Sequence, residues 1–368
     1  MKILHIINDL DYGGAEKVLS NVYKKSKFEN YIISLTNHTQ MLDSFENKNN
    51  IKIFKFNKNF FIFEFIKLVL TFKKISPDVT IGWMYHSCII AIILKLFSKT
   101  VVIFNIRQSL YALDRIKNTT YLIIKICGYL SKFSNINIFN SRKSIEQHSL
   151  IGFKTFKSIY IPNGVDINFS IDDKKIKELK KQYKISDENL VIGIIANFKP
   201  WKEFQIISKT IENLIYENKN IKFILIGRDV NEHNHFFKKY ITESIYQDKV
   251  FLCGVIKNKD IYNYISLFSL YLSTSSNEGF SNSILENLSM HKLCLTSNVG
   301  ETAPFLSKHN LVFNKIEDQV ITKKILDTLN LEKKDLTNYY SDIKNYVSEY
   351  SEKNMIKNYE NLIKKLII

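Results

Sequence analysis

The sequence predicts an α/β protein of two parallel-sheet domains, and three observations carry that expectation. Its 368 residues exceed one ordinary hydrophobic core and suit two domains of roughly 150 to 200 residues. Short β-rich runs alternate with helix-like ones along the whole chain, the pattern of repeated βαβ units and a mostly parallel sheet. Near the middle, Ser158-Ile159-Tyr160-Ile161-Pro162-Asn163-Gly164-Val165-Asp166 couples a fixed proline φ to an Asn-Gly turn and leads into a Lys-rich, weakly patterned stretch up to Asn189. This places a domain boundary near Asp166.

In the first half the expected strands are Lys2–Asn8, Tyr31–Leu35, Ile51–Phe56, Val79–Trp83, Val101–Ile106, Ile136–Asn140 and Ser158–Ile161. In the second half they are Leu190–Ala196, Ile221–Ile226, Val250–Cys253, Leu270–Ser273 and Leu293–Thr296. Helices fill the gaps, and the tail Asp335–Ile368 reads as amphipathic helix. Sheets of this kind bind ligands beyond the carboxyl ends of their strands, so those ends hold the candidate residues.

After the first strand, Asp11-Tyr12-Gly13-Gly14-Ala15-Glu16 opens a helix. Gly13 and Gly14 let a phosphate or an acceptor approach bare backbone, in a chain with only 11 glycines. The absence of G-x-G-x-x-G argues against a dinucleotide oxidoreductase. Trp83–Ser87 and Asn105–Ser109 close two further strands and offer His86 and Arg107, the arginine suited to oxyanions. In the second half, Asn197-Phe198-Lys199-Pro200-Trp201-Lys202 and then Gly227 follow the first two strands.

The most informative stretch is Ser275 to Leu288, a strand, a tight loop and a helix start. Either Ser281 or Asn282 caps that helix, whose first N–H groups and dipole form an anion site suited to a diphosphate. Gly279 clears its mouth. Glu278 and Glu286 flank it, one in the loop and one about two turns into the helix, and carboxylates suit sugar hydroxyls.

Composition bounds the class. Hydrophobic content of 45% is that of a globular protein. The longest apolar run, Phe60–Phe72, is broken by Glu64 and Lys67 and is too short to cross a bilayer. The start reads as a buried first strand rather than a signal peptide, which predicts a cytoplasmic protein. Cys88, Cys127, Cys253 and Cys294 lack metal or redox spacing and read as free thiols. The net charge of +16 is uneven: residues 1–165 hold 23 Lys and Arg against 10 Asp and Glu, a net of +13, whereas residues 166–368 hold 29 against 26, a net of +3. A basic first half predicts a polyanionic partner, either nucleic acid or an anionic membrane surface. Lys58–Ile75, aromatic with Lys67, Lys73 and Lys74, reads either as a core helix or as a segment lying in a membrane interface.

Glu-Gly-Phe at 278–280 with Glu286 at E-x7-E spacing, together with Gly-Gly-Ala-Glu at 13–16, Ile-Pro-Asn-Gly-Val-Asp at 161–166, Lys202 and Gly227, resembles the retaining nucleotide-sugar glycosyltransferases of family 4 over almost the whole chain. The resemblance implies the GT-B fold, two Rossmann-like parallel-sheet domains facing a central cleft. An acceptor-binding domain would span 1–165, a nucleotide-sugar-binding domain 166–345, and a C-terminal helix, 346–368, would pack back on the first. It implies transfer of a sugar from a nucleoside diphosphate sugar, with UDP the first expectation, to a glycan or lipid-linked saccharide of a cell-surface polysaccharide such as lipopolysaccharide or capsule. The catalytic set would be Glu278, Lys202, Arg107 and His86. The donor set would be Gly13, Gly14, Asn197, Lys199, Lys202, Gly227, Glu278, Gly279, Phe280, Ser281, Asn282, Ser283 and Glu286. Neither metal nor cofactor is expected, because lysine and a helix terminus stabilise the leaving diphosphate.

Three positions depart from the family's pattern. Asn105 or Arg107 stands where a histidine is usual, Asn197 where an arginine is usual, and His291 where a glycine is usual. Many relatives act on lipid-linked acceptors, which implies peripheral contact with the inner face of the cell membrane through the first domain. Two alternatives stay open, a nucleic-acid-binding protein and a catalytically silent sugar-nucleotide sensor.

Overall fold

The computed structural model describes residues 1–56, 61–111, 116–217, 220–242, 246–331 and 333–367. Lys58, Asn59 and Phe60, the first residues of the proposed interfacial segment, lie outside that set, as does the last residue of the chain. The chain divides into two units, residues 1–164 with 352–368, and residues 165–351. The sequence instead predicts a cut at 165/166 and places 346–351 in the tail. In the structure the chain leaves the second unit at Ser351, between two helices.

Among the described residues the first unit holds β1 (Lys2–Ile7), β2 (Glu29–Ser34), β3 (Ile51–Ile53), β4 (Val79–Trp83), β5 (Val101–Ile106), β6 (Ile136–Phe139) and β7 (Ser158–Tyr160), in the order β3-β2-β1-β4-β5-β6-β7. All pairs are parallel. Strands such as β4 and β5 are Val/Ile-rich because both faces of the sheet are covered. On one face Val18, Leu19 and Val22 of the helix Gly14–Lys25 and Met355, Ile356, Tyr359 and Ile363 of the helix Glu352–Ile367 complete a core. On the other, Leu68 and Phe72 of the helix Phe61–Ile75, Cys88 and Leu94 of the helix Met84–Lys95, and Ile124 of the helix Asn118–Leu130 do so.

The second unit holds β8 (Leu190–Ile195), β9 (Ile221–Ile226), β10 (Val250–Leu252), β11 (Leu270–Ser273), β12 (Leu293–Ser297) and β13 (Val312–Phe313), ordered β10-β9-β8-β11-β12-β13 and parallel throughout. The two-residue β13 escapes the sequence reading because Val312–Phe313 is too short to show a period. In each sheet the chain first adds strands on one side of its opening strand and then crosses to the other. This reversal makes a crevice at the carboxyl ends of β1 and β4 in the first unit and of β8 and β11 in the second. Three of the free cysteines are buried and Cys253 is half-buried.

Candidate functional site

In the second unit the predicted residues collect at the β8/β11 crevice. β8 runs into the 3-10 turn Pro200–Lys202, ended by Glu203 in the left-handed region at φ 54°. β11 runs into the loop that opens the helix Asn282–Ser289. Three hydrogen bonds to backbone carbonyls clasp the loops: Ser276 donates to Trp201 O through its N–H at 2.9 Å and its Oγ at 3.4 Å, and Thr274 Oγ1 donates to Lys202 O at 2.9 Å. The clasp aims Lys202 at the loop, where its Nζ lies 2.6 Å from Glu278 Oε2 and donates to Ser275 Oγ at 2.9 Å. Both side chains keep about a fifth of their surface in water, 18% and 21%. Ser275 is a member of the site that the sequence reading missed, since a serine among serines carries no pattern.

The helix beyond the loop begins as its sequence requires. Ser281 is the cap, its Oγ accepting from Ile284 N–H at 3.4 Å, and Asn282 is the first helical residue, which settles the choice left open above. Glu286 is the fifth residue of this helix, hence just over one turn in rather than two, and it is 5% exposed. Tyr271 of β11, also unforeseen, lies beneath: its hydroxyl shares a 2.7 Å hydrogen bond with Ser283 Oγ. Burial pushes the Tyr271 phenol pKa up and the negative charges of Glu278 and Glu286 push the same way, so both carboxylates act on one buried ring. Phe280 turns into the interior, 3% exposed, against Tyr350. Gly279 O accepts from Glu301 N–H at 2.8 Å, so the loop after β12 fixes the backbone beside Glu278.

Gly227 ends β9 where no other residue fits: a Cβ there would lie 2.0 Å from Ala196 O. The next residue, Arg228, donates its N–H to Asn197 Oδ1 at 2.8 Å, and Phe198 N–H returns a bond to Arg228 O at 2.9 Å. Asn197 thus joins two strand ends, which explains an amide at this place. Lys199 is exposed and begins the 3-10 turn.

In the first unit Gly13 and Gly14 lie at the end of β1, Gly13 as the cap residue of the helix Gly14–Lys25. The Glu16 carboxylate folds back over Gly13, its Oε2 2.1 Å from where a Cβ would be. His86 lies not on a strand but in the first turn of the helix Met84–Lys95, exposed, after Met84 takes φ 66°. Arg107 is largely taken by internal partners: Nη1 donates to Ile161 O at 3.1 Å and to Tyr359 Oη at 3.0 Å, and Nη2 donates to Asn163 Oδ1. Asn105 Nδ2 also donates to Tyr359 Oη, at 2.8 Å. The two residues at the place of the usual histidine therefore hold the last helix. Among the described residues no group of His, Cys, Asp and Glu is arranged to hold a metal ion.

Residues 175–349 match the sequence pattern of the glycosyl transferases group 1 family. The chain is 25% identical over 143 residues to the O-antigen biosynthesis glycosyltransferase WclY of Escherichia coli, covering 39% of this chain and 38% of that protein. It is 24% identical over 212 residues to the protein CapJ of Staphylococcus aureus, covering 57% and 49%. The matched stretches therefore span half or less of these relatives. Among solved structures, Anabaena HepE in complex with UDP-glucose has a TM-score of 0.82 at 18% identity, covering 99% of this chain and 100% of that one, and shares its fold.

Proposed function

On the premise that this chain belongs, through residues 175–349, to the glycosyl transferases group 1 family, we propose that it transfers a sugar from a nucleoside diphosphate sugar, UDP-linked, with retention of configuration. The observation that carries the proposal is the convergence of Lys202, Glu278, Glu286 and a capped helix start at the β8/β11 crevice. Lys202 and the helix start take the diphosphate, where negative charge grows as the glycosyl bond breaks. Glu278, released from Lys202 by the incoming donor, takes hydroxyls of the transferred sugar, and Glu286 takes those of the ribose. Gly279 leaves room for the nucleotide, with Gly227, Asn197 and Lys199 beside it.

In the transfer, the bond from the anomeric carbon to the diphosphate oxygen breaks while the acceptor oxygen bonds to the same face. The acceptor's proton passes to the departing phosphate, so no protein nucleophile is needed and the work assigned to a cation falls to Lys202. In the first unit, Gly13 and Gly14 belong with the donor, and the exposed His86 contacts acceptor or phosphate. Arg107 acts as a positioning residue through Tyr359. The acceptor is a glycan or lipid-linked saccharide, a reading supported by the similarity to WclY, an O-antigen biosynthesis glycosyltransferase. Peripheral contact with an anionic membrane belongs to the same proposal.

The reaction is tested by incubating the protein with UDP-sugars and following the anomeric proton by NMR. An α-linked donor giving an α-linked product, or α-sugar by slow hydrolysis, is expected; a β-product contradicts retention. Tight, salt-dependent DNA binding without donor binding would revive the nucleic-acid reading.

A further inference from the structure

Just beyond the carboxyl ends of β5 and β6 in the first unit, three buried polar atoms have no hydrogen-bond partner among the described residues: Arg107 Nε, Ser109 Oγ and Asn140 Oδ1. Native folds pair almost all such atoms, so three in one corner of a sheet point to partners brought by a ligand. The register puts them side by side. Ile106 pairs with Phe139, so Arg107 and Asn140 are the next residues on adjacent strands, and Asn140 Nδ2 donates to Arg107 O at 3.4 Å. Ser109, 0% exposed, follows two residues on, and Ser144 Oγ ties that stretch down by donating to Gln108 O at 2.7 Å.

Arg107 is a cation without an anion. It donates to Ile161 O, Tyr359 Oη and Asn163 Oδ1, all uncharged, and among the described residues no carboxylate pairs with it. Burial lowers its pKa, as it does for a charge that nothing compensates. Nη1 serves Ile161 and Tyr359, whereas on the other edge of the guanidinium, formed by Nε and Nη2, only Asn163 is bound. An edge of that kind holds two oxygens of a carboxylate or phosphate side by side.

The surrounding charge has one sign. Arg142 opens the helix Arg142–Ser149 beyond β6, its guanidinium 4.2 Å from the centre of the Tyr160 ring, and Glu146 of that helix is paired with Lys143 at 2.8 Å. Asp9 and Asp11 follow β1, which β4 separates from β5, and they brace their own loop: Asp9 Oδ1 accepts from Asp11 N–H at 3.2 Å and Asp11 Oδ1 from Gln40 N–H at 3.4 Å.

We propose that this corner selects an acidic saccharide as acceptor: its carboxylate or phosphate sits on the Nε–Nη2 edge of Arg107 and the Ser109 hydroxyl, and a neighbouring sugar hydroxyl donates to Asn140 Oδ1. The inference rests on the sugar-transfer reading and adds the charge of the acceptor to it. Donors for an anion beside an acceptor for a hydroxyl fit an acidic sugar better than a bare anion, and the basic first half of the chain favours the same partner. Arg107 keeps its hold on Tyr359 through Nη1, so recognition and positioning use different edges of one side chain.

The test is titration of the full chain, followed by NMR, with UDP present throughout so that sugar phosphates are kept from the donor site. The probes are methyl β-D-glucuronide, glucose 6-phosphate and methyl β-D-glucoside. The acidic sugars are expected to bind about tenfold or more tighter than the neutral glucoside, and the tighter of the two tells carboxylate from phosphate. Arg107→Gln should abolish the preference, Arg107→Lys, which keeps the charge but not the fork, should restore part of it, and Ser109→Ala should lower it severalfold. Ser109→Ala leaves the bonds of Arg107 to Tyr359 and Asn163 in place, so it decides the matter if the Arg107 variants do not fold. Equal binding of all three sugars, binding of none, or a preference that these substitutions leave intact at unchanged melting temperature would overturn the proposal. UDP binding without an acidic-sugar preference sinks this inference alone, whereas the preference without UDP binding supports it and sinks the donor site.

Discussion

At the scale of single residues, the pair Lys202–Glu278 places two predicted side chains in contact with each other. Lys202→Ala should cost about 1 kcal/mol of stability or less, since both groups are partly solvated, a loss measurable by urea unfolding. The same change should weaken donor binding far more, which separates a binding role from a structural one. His5 shows a different logic. Its Nε2–H donates to Asn30 Oδ1 at 3.0 Å while its Nδ1 accepts from Trp83 Nε1–H at 3.1 Å, so a second proton has no place, and burial lowers its pKa to about 4. Burial lowers that of His148 to about 4 as well. Both rings are neutral in the fold and charge more readily when unfolded. Stability is therefore fully present above the ordinary histidine pKa of about 6.5 and falls by a few kcal/mol, roughly, as pH drops from there toward 4, which urea unfolding at pH 7 and pH 5 would show. His291 holds φ 54° at the end of the helix Asn282–Ser289, where glycine costs least. His291→Gly should stabilise by about 1 kcal/mol, raising the melting temperature by about 2–4 °C. The sequence made the charged and glycine positions of the crevice legible because chemistry restricts them. It left Ser275 and Tyr271 unread, because a serine among serines and an apolar-strand tyrosine fit many environments.

At the scale of elements, the last helix shows what periodicity can and cannot tell. The apolar spacing of Met355, Ile356, Tyr359 and Ile363 predicts an amphipathic helix, but the partner of its face is fixed only in the structure. That partner is the first unit: Tyr359 lies nearly parallel to Trp83 at 6.3 Å, Lys25 pairs with Glu352 at 2.5 Å, and Glu360 Oε1 accepts from Lys27 N–H at 2.8 Å. Tyr359→Phe removes the oxygen that Arg107 and Asn105 share and should cost about 1–3 kcal/mol by thermal unfolding. The helix Phe61–Ile75 was ambiguous for a physical reason: a helix apolar on both sides has no polar face to orient it, and the structure buries one side while exposing the other.

At the scale of the molecule, two parallel sheets were legible because strands covered on both faces read as short apolar runs separated by helices, and the run of motifs marked their carboxyl ends. Strand order was not legible, and strand order is what makes a crevice. The reversals beside β1 and β8 bring loops distant in sequence together, so Trp201 and Ser276, 75 positions apart, share a hydrogen bond. Charge is a property of the same scale: the excess in the first half is spread along the sequence, yet the fold gathers part of it onto one helical layer. The central claim is a nucleotide-sugar site at the β8/β11 crevice, and thermal unfolding with UDP, GDP and their sugars, on the unaltered chain and on Glu286→Ala, tests it most directly. At 100 times Kd a ligand adds about 2.7 kcal/mol, so a clear rise in melting temperature with one nucleotide family, abolished in Glu286→Ala, is the predicted result. No rise with any of them, or a rise that Glu286→Ala keeps in full, would contradict it.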